Sequence, residues 1–257
     1  MNRYEQGLEL YYYLCGMLVR MEIIALRTTR YSDSSAILSA YSRSGGRVSF
    51  MVSAGSGREA TRRRALLMPL GVVECVADVR PGRSIHGLRE PRGLFAQSSL
   101  RGNPLKNAMA SFLAEVLGLV LREGQADEGL WLYVRGAIEA LEAMPGMRVA
   151  NFHICFLLRL CRFLGIEPDW ESWGDGKIFD MVDATYRYSA PLHHHYLTPD
   201  ESRGAYMLSR MNFGNMHKYK FNRRVRREIL DAIMRYYSLH YAGMSGLKSL
   251  DVLAELF

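Results

Sequence analysis

Strict alternation runs through Arg47-Val48-Ser49-Phe50-Met51-Val52. Val48, Phe50 and Val52 share one face of the stretch, and the residues between them share the other. This two-residue period is typical of a half-buried β-strand. Gly45-Gly46 immediately before it is a turn signal, so the stretch predicts the second strand of a hairpin whose first strand ends near Tyr41.

Four more short apolar segments surround this hairpin, so that about five strands fall within about 70 residues. Such a set is typical of a small Greek-key barrel of the OB type, a fold that commonly binds oligonucleotides. An SH3-like barrel is the alternative. The stretch 54–64 is rich in Gly and Arg and is interpreted as a loop. The other strand segments are Glu22–Thr29, Ser35–Tyr41, Pro69–Val79 and Ser84–Glu90.

Beyond residue 101 the pattern becomes helical. Asn103-Pro104 is a helix-start signal that precedes a long apolar stripe ending near Leu121. Thr198-Pro199-Asp200-Glu201 is a capping box with proline at the first helical position. The remaining predicted helices cover 127–143, 148–164, 222–241 and 249–256. The predicted fold class is therefore multidomain β + α: an N-terminal extension at 1–20, an OB-fold barrel at 21–100 and an all-α helical domain at 101–257.

Composition narrows the functional classes. The 257 residues include 33 Lys+Arg and 26 Asp+Glu, a net charge of +7, which permits binding to a polyanion. No apolar run reaches the roughly 18 residues of a membrane span. The four cysteines, Cys15, Cys75, Cys155 and Cys161, are widely spaced, which favours free thiols in a reducing cytoplasm.

Catalytic motifs are missing from the sequence. Gly174-Asp175-Gly176-Lys177 lacks the spacing of a phosphate-binding P-loop, and Ala54-Gly55-Ser56-Gly57 is not a nucleophile elbow. The three consecutive histidines at 193–195 cannot all face one ion in regular structure, and His153 lies within an apolar helix. No arrangement of these residues indicates a catalytic residue, a cofactor site or a metal site.

Basic side chains form two clusters. In the first, arginines on the predicted barrel and in its Gly-rich loop are candidate phosphate ligands, because a guanidinium matches phosphate geometry. Tyr31 and Tyr41 nearby are candidates for stacking on bases. A solubilising surface is the alternative interpretation. The predicted DNA-binding residues are Arg27, Arg30, Arg47, Arg58, Arg62, Arg63 and Arg64.

The second cluster interleaves cations with Tyr219 and Phe221 at a predicted helix start. Cations in the first turn oppose the helix dipole, so an external anion would compensate for them. We predict that this cluster binds DNA or an acidic partner tail, with a solvated helix face as the alternative. Its members are Lys218, Lys220, Arg223, Arg224 and Arg227.

Several short motifs occur together in a recognisable order. The segment Ile24–Ser39 resembles the opening of the RecO family of recombination and DNA repair proteins. The resemblance extends over about residues 21–257. It is carried further by Gly45-Gly46-Arg47, Ala54-Gly55-Ser56-Gly57-Arg58, Pro69-Leu70, Phe163-Leu164-Gly165-Ile166-Glu167-Pro168 and Leu247-Lys248-Ser249-Leu250-Asp251-Val252-Leu253.

The resemblance implies a non-enzymatic recombination mediator with an N-terminal OB fold and a helical C-terminal domain. RecO-like proteins bind single- and double-stranded DNA, anneal complementary strands, and act with RecR to load RecA onto strands coated by single-strand-binding protein. They also dock the acidic, apolar C-terminal tail of that coating protein. The alternative is a protein-interaction adaptor in which the helical domain acts and the barrel is structural; an unrecognised hydrolase is a distant third.

One departure from the family pattern concerns zinc. Many members carry a four-cysteine zinc finger after the Gly-x-x-Pro exit, which corresponds to positions 166–198 here. That stretch contains no cysteine, and a structural zinc needs four Cys or His ligands. We therefore expect no zinc, with Trp170 and Trp173 filling the space by apolar packing.

Overall fold

The computed structural model of the chain describes residues 17–79, 82–145 and 148–256. Most of the predicted N-terminal extension, residues 1–16, lies outside these ranges. The chain folds into two compact units. The first holds the barrel, and the second holds most of the helices.

The first unit is built on five strands that pair in the order β1-β2-β3-β5-β4, with β4 returning to β1 to close the barrel. The β3–β5 pairing is parallel and the others are antiparallel. This closed five-stranded barrel confirms the OB-type prediction. The strands are β1 (Met17–Arg30), β2 (Ser35–Ser42), β3 (Gly46–Ser53), β4 (Val72–Val79) and β5 (Ile85–Gly93).

Alternation decides which side chains fill the barrel. Phe50 and Val52 of β3 are buried, and Arg47 and Ser49 lie on the other face, as the sequence pattern predicts. Ile23, Leu38 and Val73 from three other strands are also fully buried in this core. Burial of such side chains stabilises the fold by about 25 cal/mol for each Å² of apolar surface removed from water.

Two boundaries in this region differ from prediction. The first strand begins at Met17 rather than at Glu22, and Met17 to Arg20 pair with Val79 to Val76 of β4. The stretch interpreted as a loop contains a helix, α1 (Arg58–Leu66). Its Arg, Glu and Ala residues are good helix formers, and this propensity outweighs the neighbouring glycines, which lie before the helix.

The β2–β3 turn packs on residues beyond the predicted barrel. The amide of Arg47 donates to the carbonyl of Arg122 at 2.9 Å, and the amide of Gly124 donates to the carbonyl of Gly45 at 3.2 Å. Leu113–Arg135 accordingly cluster with the barrel in the first unit, and Gly102–Phe112 belong to the second. The predicted boundary at residue 100 therefore does not divide the chain into its two units.

Replacing Gly46 by alanine is expected to lower the free energy of unfolding by about 2–4 kcal/mol. Gly46 has φ +69°, and a Cβ there would lie 2.5 Å from the carbonyl oxygen of Gln125. Gly45→Ala is the matched control, because its Cβ would meet nothing closer than the Ser42 hydroxyl at 3.8 Å. Chemical denaturation measures both variants; equal losses would contradict the tight approach of this turn.

Helices make up most of the remaining chain, with the predicted caps in place. Asn103 Oδ1 accepts from the amide of Leu105 at 2.9 Å, Thr198 and Glu201 form the capping box, and Asn222 caps the helix that follows it. The helices are α2 (Ser98–Gly102), α3 (Pro104–Val120), α4 (Glu128–Ala143), α5 (Phe152–Phe163), α6 (Pro199–Leu208), α7 (Arg223–His240) and α8 (Ser249–Leu256).

The second unit is not all-α, which corrects the prediction. A three-stranded sheet of β6 (Ile178–Asp180), β7 (Thr185–Arg187) and β8 (Tyr196–Leu197) lies between α5 and α6 in the chain. Strands of two or three residues are too short for a two-residue period to be recognised. Asp180 at the end of β6 is a buried carboxylate whose Oδ1 accepts from the amides of Val182 and Asp183 in the turn that follows.

The helical core has the expected apolar character. Cys155, Cys161 and His153 on α5 are buried, which confirms their assignment to the core. Burial lowers the pKa of His153 to about 3, with the charge of Arg226 as the second cause, so this imidazole is neutral at physiological pH. Within 17–79, 82–145 and 148–256, the helices include none that is long and apolar enough to cross a membrane.

Candidate nucleic-acid and partner-binding surfaces

One end of the barrel brings together the β1–β2 turn and the segment that leads into α1. The amide of Ala54 donates to the carbonyl of Ser34 at 2.9 Å, which ties the two segments together. Arg30 and Tyr31 lie at the start of this turn. Arg30 is paired with Asp33 at 2.7 Å in full solvent, and Tyr31 is 67% exposed. This end therefore offers a cation and an aromatic ring side by side.

Helix α1 adds its arginines to the same end. Arg58, Arg62 and Arg64 are exposed and Arg63 is half-buried. The guanidinium of Arg64 donates to the carbonyl of Gly55 at 2.8 Å and to the Thr61 hydroxyl at 3.0 Å. These bonds hold Arg64 against Gly55. Its neighbour Ala54 is tied to the β1–β2 turn by the hydrogen bond to the Ser34 carbonyl. We call this group the barrel-end cluster; it consists of Arg30, Arg58, Arg62, Arg63 and Arg64.

Arg27 lies apart from that cluster, on the outer face of the sheet. It pairs with Ser39 of β2, which pairs with Ser49 of β3, which in turn pairs with Ile85 of β5. Apart from Arg27 itself, which is exposed, the side chains of this row are therefore small or apolar. Arg27 offers a single cation on an otherwise uncharged row.

The predicted phosphate ligand Arg47 lies apart from the barrel-end cluster and is bonded to other groups of the protein. Its guanidinium donates to the carbonyl of Gly118 at 3.0 Å and to Glu123 at 3.3 Å. Arg47 also lies opposite Tyr41, near the Ser42–Gly46 end of the hairpin, whereas Arg30 lies opposite Ala36, near the Ser35–Ser53 end. Alternation correctly placed Arg47 outside the core but could not show that helix α3 ends beside it.

Tyr41 is likewise unsuited to base stacking. It is 1% exposed, its ring packs 5.6 Å from that of Trp131, and its hydroxyl donates to the carbonyl of Asp127. Burial raises the pKa of this phenol to about 12. Of the two predicted stacking residues, only Tyr31 presents its ring to solvent.

An apolar groove in the second unit was not predicted. Its cavity volume is about 410 Å³. Helices α5, α6 and α7 supply most of its walls, and β6 and β8 supply part of the remainder. Residues far apart in sequence meet here, so no local pattern signals it. Residues that line it include Leu158, Phe179, Leu208, Tyr219, Phe221, Val225, Ile229 and Ala232.

The second basic cluster borders this groove. Tyr219 and Phe221 line it, and the intervening Lys220 and the preceding Lys218 are exposed. Arg223, Arg224 and Arg227 on the first two turns of α7 are exposed as well, with Arg224 paired to Glu228 at 3.4 Å. We call these exposed cations, which neighbour groove-lining residues in the chain, the groove rim: Lys218, Lys220, Arg223, Arg224 and Arg227.

Arg226 differs from the other arginines of this run. Its Nε donates to Asn151 Oδ1 at 3.1 Å and its Nη2 donates to the carbonyl of Phe221 at 2.9 Å. Burial lowers the pKa of this guanidinium. Arg226 thus faces the protein while its neighbours face solvent.

Positions 166–198 show packing in place of a metal centre. The Trp173 ring stacks on Tyr206 with centroids 4.1 Å apart, and Trp170 packs near Tyr186. His193 Nε2 lies 3.3 Å from Asp180 Oδ1, and Arg187 Nη1 lies 3.3 Å from the other oxygen of the same carboxylate. Across the described residues, no group of three or more His, Cys, Asp or Glu side chains is placed to hold a metal ion. These residues do not fit a zinc site, and the absence of zinc stays a prediction.

Comparison with protein families gives two matches. A family model described as "Recombination protein O N terminal" matches residues 17–94. One described as "Recombination protein O C terminal" matches residues 101–251. The first match begins at Met17, where β1 also begins.

Curated relatives give the same result at the level of whole chains. A protein named "DNA repair protein RecO" from Bacteroides fragilis is 38% identical over 242 residues, which is 94% of this chain and 100% of the relative. Proteins of the same name from Phocaeicola vulgatus and Porphyromonas gingivalis are 37% and 35% identical over the same shares.

Proposed function

We propose, because the chain belongs to the RecO family of DNA repair proteins, that it is a DNA-binding recombination mediator without enzymatic activity. In this proposal it binds single- and double-stranded DNA in the cytoplasm and anneals complementary single strands. With RecR it helps RecA to load onto strands coated by single-strand-binding protein. The observation that carries the proposal is the barrel-end cluster, because four of its five arginines are exposed on a barrel of the OB type.

The barrel-end cluster has the chemistry of a strand-binding site. Guanidinium groups form paired hydrogen bonds with phosphate oxygens, and each phosphate neutralised releases counterions. Tyr31 beside them supplies a ring on which a base can stack, a contact that tolerates any sequence. Arg27, on the outer face of the sheet, adds one further exposed cation to those of the barrel-end cluster. A mediator needs this kind of sequence-independent affinity.

The groove and its rim have the chemistry of an acceptor for an acidic, apolar tail. Apolar side chains of the tail enter the groove between α6 and α7, where Phe221 and Ile229 remove them from water. Its carboxylates meet the rim, where Lys218 and Arg223 are exposed cations. We propose that this is where the C-terminal tail of single-strand-binding protein docks.

Strand annealing tests the function as a whole. Complementary single strands are mixed with the protein in the absence of nucleotide, either bare or coated with single-strand-binding protein. We expect faster annealing in both cases than without the protein. Tail-peptide binding with no DNA binding at about 0.1 M salt would instead favour an adaptor in which the barrel is structural.

A further inference from the structure

The segment between α6 and α7, residues 209–222, forms one wall of the apolar groove but contains little regular structure. Its only helical element is a 3-10 turn at Met216–Lys218. Tyr219 and Phe221 follow that turn and line the groove, and Lys218 and Lys220 alternate with them. The shape of this wall therefore depends on contacts other than a helix or strand ladder.

Side chains from α7 and from the N-cap of α5 supply those contacts. Asn151 is 5% exposed, and its amide nitrogen donates both hydrogens to backbone carbonyls, that of Met216 at 3.0 Å and that of Tyr219 at 2.8 Å. Its Oδ1 accepts from Arg226 Nε at 3.1 Å. The two donors and the acceptor of the amide are all engaged.

Arg226 completes the arrangement from the other side. It donates to the carbonyl of Phe221 at 2.9 Å, so the two side chains together bond the carbonyls of both residues whose rings line the groove. A partly buried guanidinium needs such partners, because a charge removed from water without them is destabilising. The cation of Arg226 is therefore committed to the backbone of the wall, while Arg227 beside it is exposed.

We infer that Asn151 and Arg226 are positioning residues, which set the rings of Tyr219 and Phe221 and thereby the affinity of the groove for an acidic, apolar peptide. This inference rests on the proposed docking of the tail. Loss of either side chain leaves backbone carbonyls of the wall without their hydrogen bonds, so the rings of Tyr219 and Phe221 lose their fixed positions. Neither residue needs to touch the peptide.

Two variants separate the components of this network. Arg226→Gln removes the charge and the long fork. Asn151→Asp keeps the oxygen that accepts from Arg226 but removes both donors to the wall. Arg227→Gln is the matched control for hydrogen exchange alone, because it removes the same charge from the adjacent position, where the side chain is exposed. It is not a control for peptide binding, since Arg227 belongs to the groove rim.

Hydrogen exchange of the free protein tests the positioning directly. We expect amides within 216–221 to exchange at least about 10-fold faster in Arg226→Gln and Asn151→Asp than in the wild type or Arg227→Gln. Trypsin should also cleave after Lys218 and Lys220 faster in Arg226→Gln and Asn151→Asp than in the wild type or Arg227→Gln. Unchanged exchange in this segment would overturn the inference.

Peptide affinity then tests the consequence for binding. The probe is a synthetic peptide with the acidic, apolar C-terminal sequence of single-strand-binding protein. Its binding is followed by the change in intrinsic tryptophan fluorescence, since Trp170, one of the three tryptophans, lines the groove. We expect binding to weaken about 10-fold in Arg226→Gln, as for loss of one or two charged hydrogen bonds. In a Phe221→Ala background the same change should have less than about a 2-fold effect, because the ring it positions is gone.

The outcomes are distinguishable. Equal effects of Arg226→Gln with and without Phe221 would overturn the inference, since they would indicate general destabilisation, which thermal melting reports separately. A wild-type protein that does not bind the peptide would overturn the docking proposal. Exchange in the free protein would still decide whether these two residues hold the wall.

Discussion

Replacing Arg62, Arg63 and Arg64 together by glutamine is expected to flatten the salt dependence of single-stranded DNA binding. Each phosphate contact contributes about 0.7 to the slope of log affinity against log salt on a single strand, so three contacts account for about 2. The three residues lie on α1 within the barrel-end cluster, and none is paired with an acidic side chain in the ion pairs of the described residues. Fluorescence anisotropy over a range of salt concentrations measures the slope.

Two controls distinguish a local site from a change in net charge. Arg162, Arg203 and Arg235 are exposed residues of the second unit, and their triple glutamine variant has the same formal charge as the α1 variant. We expect its slope to stay within about 0.5 of the wild-type value. Arg47→Gln should also leave the slope unchanged, while lowering the free energy of unfolding by about 1–3 kcal/mol through the loss of its bonds to Gly118 and Glu123.

An equal fall in slope for both triple variants would indicate that DNA affinity depends on the net charge of the protein and not on a local site. An unchanged slope for the α1 variant would place the DNA site elsewhere on the chain. After either result, the barrel-end cluster would no longer support the proposed function.

Replacing Ile229 by aspartate is expected to weaken binding of the tail peptide by at least about 100-fold. Ile229 is a half-buried residue of α7 that lines the groove. A carboxylate there would be desolvated by the apolar part of the peptide and would repel its acidic residues. Isothermal titration with the tail peptide measures the loss, and DNA affinity of the same variant should be unchanged.

Leu239→Asp is the control for this substitution. Leu239 lies on the same helix, is 36% exposed and does not line the groove. Its variant should bind the peptide within about 2-fold of the wild type, because surface substitutions away from a site have small effects. Ile229→Ala should lie between the two. Wild-type affinity in Ile229→Asp would show that the peptide binds at another place.

Local patterns were sufficient for the elements with strong periods or caps. The β3 alternation, the Asn103 and Thr198 caps and the apolar stripe of α3 all appear in the structure near their predicted positions. Helix α1 was missed because glycines before it obscured a short helix with no buried residue. The sheet of β6, β7 and β8 was missed because its strands are too short to show a period.

The candidate sites were predictable to different degrees. Clusters of like charge are visible in sequence, so both basic groups were found. Whether a given arginine can contact DNA or a peptide depends on the residues that surround it in the folded protein. Arg47 is committed to Gly118, 71 positions away, and Arg226 is committed to Asn151, 75 positions away.

The sequence by itself determined the kind of protein: an OB-type barrel, a helical region after it, two basic clusters and a resemblance to one family of DNA repair proteins. These features depend on residues close together in the chain, whose spacing matches the period of a strand or helix. Only the tertiary structure decided which cations face solvent and where an apolar groove lies. A groove, and a hydrogen bond such as that from Arg226 to Asn151, form between segments that the sequence separates by dozens of residues, and only folding brings those segments into contact.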